Sequence, residues 1–111
     1  HRLQFLDFTA DLLTFKRYVA DLKAFGGGDI PEDVLGGLQC AVTALSWRSP
    51  IRILFHICEA PPHNKVYHDE NIRDEYPVGH PTDPPNYHQK VLKQMKDKNI
   101  RFCIAKLKKN V

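Results

Sequence analysis

The run Ile51-Arg52-Ile53-Leu54-Phe55-His56-Ile57-Cys58 constrains the fold more than any other stretch of this chain. It is nearly continuous in aliphatic and aromatic residues and lacks the alternation of a strand with one wet face. Such a run reads as a parallel strand covered by helices on both faces, because the crossovers that join parallel strands lie on the sheet faces. The remaining chain must then supply those helices and further strands. Residues 100–105, Ile100-Arg101-Phe102-Cys103-Ile104-Ala105, read as a second strand, and residues 2–8 as a third.

Helical periodicity fills the intervals. Leu12, Phe15, Val19 and Leu22 recur at helical spacing after Thr9, which is expected to cap the helix, with Asp11 in the first turn. Gly26-Gly27-Gly28 is expected to end it, since glycine takes positive φ at little steric cost. Asp29 then offers an N-cap, with Pro31 in the first turn and Glu32 at capping-box spacing. Val34, Leu35, Leu38, Ala41, Val42 and Leu45 make the stripe of this second helix, which Gly36-Gly37 weakens unless close packing compensates. Residues 46–50 read as a turn, with Trp47 over the edge of the core. Tyr87, Val91, Leu92 and Met95 mark a third helix, closed by Asn99. The order β-α-α-β-loop-α-β predicts one three-layer α/β domain over residues 1–111, with a long Pro- and His-rich loop at 59–86. A loop of that length inside a compact domain is functional or disordered.

Composition excludes several classes. No apolar run approaches the ~20 residues that cross a bilayer, so no membrane helix is expected. The net charge of +3 comes from 16 Lys and Arg against 13 Asp and Glu. The basic excess gathers near the end of the chain, from Lys90 to Lys109, without the interleaved aromatics of a nucleic-acid interface, so it reads as a solvated helix face and no nucleic-acid partner is expected. Cys40, Cys58 and Cys103 form no CxxC pair and read as small hydrophobes in a reducing, cytoplasmic setting.

Ligands of open α/β sheets bind beyond the carboxyl ends of the strands. Two carboxylates fall there: Asp29 after the glycine run, and Glu59 after Cys58. Together they could offer oxygen ligands to a hard cation such as Mg²⁺; apart, one is an N-cap and the other a solvated carboxylate. His63 and His68 have zinc-ligand spacing but no cysteine pair or helix to fix both rings. His56 and Cys58 share a strand face, and His56 reads as a core histidine with one nitrogen satisfied.

These residues carry a family resemblance. The stretch Gly26-Gly27-Gly28-Asp29-Ile30-Pro31-Glu32-Asp33-Val34-Leu35-Gly36-Gly37-Leu38 resembles the GGGD-x-PED-x-x-x-GL segment of von Willebrand factor type A domains, particularly those linked to alpha-type protein kinases. Ile53 through His63 resembles the fourth strand of those domains and the loop after it, and Tyr67-His68 and Asp74-Glu75-Tyr76-Pro77 continue the likeness. The resemblance implies a Rossmann-like fold with a metal-ion-dependent adhesion site at its top. That site draws on an Asp-x-Ser-x-Ser loop, a second loop and an acidic residue after the fourth strand. Asp29 falls in the second loop, and Glu59 stands where the family usually has Asp, one methylene longer. The Asp-x-Ser-x-Ser segment, with the first two strands and first helix, has no counterpart in the 111 residues. The expectation is therefore a partial domain with an incomplete site that binds Mg²⁺ weakly or not at all. Its function would be non-catalytic protein binding through Gly28, Asp29, Glu59 and His63. The alternative is an accessory part of an alpha-type protein kinase or other enzyme. Residues 2–8 would be an edge strand, paired directly with 51–58 in a shrunken sheet or left beside a gap, and the exposed strand edges invite self-association.

Overall fold

A computed structural model describes residues 3–108. In chain order these form α1 (Leu12–Asp21), α2 (Val34–Ala44), β1 (Ile53–Cys58), α3 (Tyr87–Asp97) and β2 (Arg101–Lys106). The two strands pair in parallel, in register from Ile53 opposite Arg101 to Cys58 opposite Lys106. The mixture of helices with a parallel sheet is that of an α/β fold.

The core lies on one face of the sheet. Val42 from α2, Val91 and Met95 from α3, and Ile100 are buried, and Leu38, Trp47, Leu54, Tyr87 and Phe102 pack around them. Polar bonds lock the same corner. The Trp47 indole N–H donates to the Ala41 carbonyl at 2.8 Å, and the Lys98 ammonium donates to the Val42 carbonyl at 2.6 Å, where the end of a helix leaves carbonyls unpaired. The α3–β2 junction is a Schellman motif: Asn99 sits at φ 56°, its N–H bonds the Lys96 carbonyl at 3.0 Å, and the Ile100 N–H reaches back to the Met95 carbonyl at 2.9 Å. Asn99 closes α3 as its residue type predicts.

The opposite sheet face is bare. Ile53, Phe55 and Ile57 are 53%, 61% and 61% exposed, so β1 reads on the surface as an alternating strand although its sequence is that of a strand buried on both sides. Among the described residues the layers number two, a sheet and the α2–α3 pair, and no helix covers this face. Helix α1 contributes nothing to the core, and Leu12, Phe15, Val19 and Leu22 remain exposed.

Several local expectations are corrected. Residues 3–8 form no strand, and Arg2 lies outside the described residues. The Asp7 carboxylate instead accepts from the Ser46 N–H (2.9 Å) and hydroxyl (2.6 Å), and Phe8 meets Trp47 edge-on. Those contacts anchor the segment at the end of α2, not in a sheet. Asp11, not Thr9, caps α1, because its carboxylate takes the Leu13 and Thr14 N–H groups together at 3.0 and 3.3 Å. The helix stops at Asp21, before the glycines. Asp33, not Asp29, caps α2 through the Gly36 N–H at 3.2 Å. The reason lies upstream: Glu32 forms a parallel bridge with Pro62, which keeps residue 32 extended. Gly36 is buried, but a Cβ at Gly37 would meet nothing within 4 Å, so close packing does not account for that glycine.

Candidate functional site

The Pro- and His-rich loop leaves the carboxyl end of β1 and is organised around one side chain. Asp74 Oδ1 accepts from His63 Nδ1 at 2.6 Å and from the Tyr76 N–H at 2.8 Å. Its Oδ2 accepts from the Asn64 N–H at 2.8 Å and from His68 Nε2 at 2.9 Å. The side chains of Asp74 and His68 are each only 2% exposed. A carboxylate accepts and cannot donate, so both imidazoles present N–H to it. His68 Nδ1 also faces the Asp69 carbonyl at 3.0 Å, so both of its ring nitrogens donate and the ring is an imidazolium.

The electrostatics follow from these bonds. Burial pushes the Asp74 carboxyl upward, but hydrogen bonds from His68, His63 and the Tyr76 and Asn64 N–H groups outweigh it and hold the carboxyl far below its ordinary range. The Asp74 hydrogen bond and the Asp69 carbonyl raise His68 above the ordinary histidine value, against the opposing effect of burial. Farther along the loop, the Tyr67 hydroxyl and His88 Nδ1 lie 2.7 Å apart, which ties the loop to α3. Burial, with Asp83 adding to it, raises the Tyr67 phenol.

The glycine-rich segment meets this loop at two places. The Glu32 N–H donates to the Pro61 carbonyl at 2.9 Å, and the His63 N–H donates to the Glu32 carbonyl at 3.0 Å. Above that bridge, Asp29 Oδ2 accepts from the Glu75 N–H at 2.7 Å and lies 3.7 Å from His63 Nδ1. Gly26, Gly27 and Gly28 all take positive φ, and a Cβ at Gly28 would stand 2.9 Å from a Glu75 carboxylate oxygen. Only glycine lets the backbone pass that close while delivering Asp29. His63 is held edge-on against Tyr76, with ring centroids 4.9 Å apart. Asp29, His63, Glu75, Tyr76 and His80 line a cavity of about 360 Å³.

Of the residues singled out in the sequence, Gly28, Asp29 and His63 gather here. Glu59 does not join them: it is exposed, its carboxylate lies 3.5 Å from the Lys108 ammonium, and it lines the groove between α2 and β1. Among the described residues the metal-competent group is Asp29, His63 and Asp74, with one donor atom from each lying within 4.8 Å of the others. The two carboxylates that the resemblance offers to Mg²⁺ thus face different partners. His63 and His68 both bond Asp74, and both nitrogens of His68 are committed. Asp74 was not read as a site residue; its one local signal is the Asx turn of Asp74-Glu75-Tyr76-Pro77. His56 Nδ1 is buried with no hydrogen-bond partner, and burial lowers its pKa.

The family profile described as von Willebrand factor A domain matches residues 3–74, from the extended N-terminal segment to the hub carboxylate. A curated relative from Dictyostelium discoideum, named alpha-protein kinase vwkA, is 37% identical over 82 residues, 73% of this chain and 13% of the relative. The chain thus corresponds to a small part of that protein's length. No solved structure matches. No helix among the described residues is long and apolar enough to cross a membrane.

Proposed function

This chain belongs to the von Willebrand factor A domain family, and from that premise we propose that it is a non-catalytic module that binds a protein partner. The observation that carries this reading is the meeting of Asp29 and His63 in the loops at the carboxyl end of the sheet, where ligands of open α/β sheets bind; an exposed apolar face lies beside it. Ile53, Phe55 and Ile57 form a continuous exposed apolar face, and such patches on a folded chain mark interaction sites. Further elements over this face would give the three-layer Rossmann-like arrangement. The partner would then meet the loops at the carboxyl end of the sheet, where Gly28, Asp29 and His63 lie together and Glu59 flanks them. That Asp29 and Glu59 face different partners supports the reading of an incomplete adhesion-type site that binds Mg²⁺ weakly or not at all.

A second reading, an accessory part of an alpha-type protein kinase, is favoured by the name of the Dictyostelium relative. It is compatible with a binding role, since an accessory module can position a kinase without touching phosphate. One experiment addresses both. The chain is immobilised beside a His63→Ala variant and used for capture from an extract, and the chain is incubated with labelled ATP and an acceptor protein. The expected result is a reproducible partner that the variant retains poorly, with no phosphoryl transfer. Transfer from ATP, or equal retention by both baits, overturns the proposal.

A further inference from the structure

We propose that Asp29, His63 and Asp74 form a binding site for a borderline divalent transition metal, Zn²⁺ foremost, distinct from the Mg²⁺ site expected from Asp29 and Glu59. The proposal does not depend on the protein-binding reading, because its readout needs no partner.

The donor set selects the metal. One imidazole nitrogen with two carboxylate oxygens is poorly matched to Mg²⁺, which prefers oxygen alone in an octahedron, and well matched to Zn²⁺. Three protein ligands leave a fourth tetrahedral position for water, the pattern of zinc sites that remain open. The geometry is close to what coordination requires. With metal–ligand bonds of about 2.0–2.2 Å, neighbouring donors of a tetrahedral site stand about 3.3 Å apart. His63 Nδ1 is 2.6 Å from Asp74 Oδ1, a hydrogen-bond separation that must open by about 0.7 Å, and 3.7 Å from Asp29 Oδ2, which must close by about 0.4 Å; all three donors lie within 4.8 Å of one another. A metal entering between them takes the place of the His63 Nδ1 proton, which moves to Nε2 by exchange with solvent; the ring changes tautomer, stays neutral and supplies the ligand, so no group changes charge.

The surroundings are those of a supported site. Asp74 Oδ2 is held by the Asn64 N–H and by His68, which fixes the carboxylate plane and presents Oδ1 toward His63. Asp29 is fixed by the Glu75 N–H and His63 by the Tyr76 ring. Such outer partners orient ligands in metal proteins. The charge also fits: two carboxylates face one imidazolium, His68, leaving a net negative site for a dication. The cavity between Gly26 and His80 gives access.

Cobalt is the test probe, because Co²⁺ takes zinc geometries and is coloured. Titrating the chain with Co²⁺ should give visible d–d bands that saturate at one equivalent, are displaced by Zn²⁺ and are unaffected by Glu59→Gln. His63→Gln should abolish them. Asp29→Asn keeps the oxygen that accepts from the Glu75 N–H, so it leaves the loop pinned, and it should weaken Co²⁺ binding at least about tenfold. Circular dichroism confirms that each variant is folded. No bands in the folded chain, bands that survive both His63→Gln and Asp29→Asn, or an intense thiolate charge-transfer band from Cys40, Cys58 or Cys103 would overturn the site.

Discussion

Asp74 uses both oxygens to hold four groups that would otherwise lack partners, two imidazoles and two backbone N–H groups. Removing it leaves a buried imidazolium without its counter-charge, the costliest way to break a buried pair, at about 3–5 kcal/mol. Asp74→Ala is therefore expected to open the loop locally, read as faster hydrogen exchange at the Asn64 and Tyr76 amides. Unchanged exchange would mean that Asp74 is not the hub. His68 adds a pH dependence whose sign follows from its raised pKa. Its stabilisation is fully present below the unfolded value of 6.5 and is lost as pH rises through the folded value. His56 works in the opposite sense: burial lowers its pKa, so its contribution is present above 6.5 and lost as pH falls through the folded value. Thermal unfolding of the metal-free chain should then weaken on both sides of neutrality. His68→Gln should flatten the alkaline side alone; an unaltered alkaline slope in that variant contradicts the assignment.

At the scale of elements, the helices differ in what holds them. Helix α3 has a buried stripe, Val91 and Met95, and a Schellman stop whose apolar contact, Met95 with Ile100, is part of the core. Helix α2 is capped by Asp33 and carries a glycine, Gly37, with helical backbone and open space at its Cβ. Gly37→Ala should therefore stabilise the chain by about 0.5–1 kcal/mol in denaturant titrations, through propensity alone. Destabilisation would reveal a neighbour that occupies this groove in solution. Helix α1 has a good cap and an apolar stripe but buries none of it. A ten-residue helix without tertiary support is marginal in water, so α1 is the element most in need of a further surface. The capping residues of α1 and α2 both escaped the sequence reading. Each had two candidate oxygens: the long-range Glu32–Pro62 bridge decided for α2, and for α1 the Asp11 carboxylate reaches two N–H groups at once.

The whole molecule is loose for its length. Its radius of gyration is 15.0 Å, against about 13 Å for a compact chain of this size. Its accessible surface is 8538 Å², where scaling for its mass gives about 6,300 Å². The excess, roughly 2,000 Å², is more than the ~800 Å² that one partner contributes to a standard protein interface. Much of it is apolar: the Ile53, Phe55 and Ile57 face and the stripe of α1. Among the described residues β1 also pairs on one side only, which leaves one row of backbone donors and acceptors open. The chain should self-associate: in sedimentation velocity its mass should rise with concentration above 12.8 kDa, and Phe55→Asp should return it to monomer. A concentration-independent monomer would refute this.

The sequence by itself determined what depends on near neighbours along the chain. The apolar run at 51–58 made β1, the helical stripes made α1, α2 and α3, and Asn99 stopped α3, because periodicity and backbone preference act over a few residues. The two motifs around Asp29 and His63 also pointed to the end of the sheet where the candidate site lies. Tertiary structure alone decided that Asp74, eleven residues beyond His63, closes on it, that Asp29 faces His63 while Glu59 turns to Lys108, and that one face of β1 stays bare. Those outcomes rest on carboxylates choosing among several donors of similar strength, and the choice depends on which segments the fold brings within three ångströms or so of one another. A strand's own residues specify that both faces should be buried; only the surrounding elements decide whether anything is there to bury them.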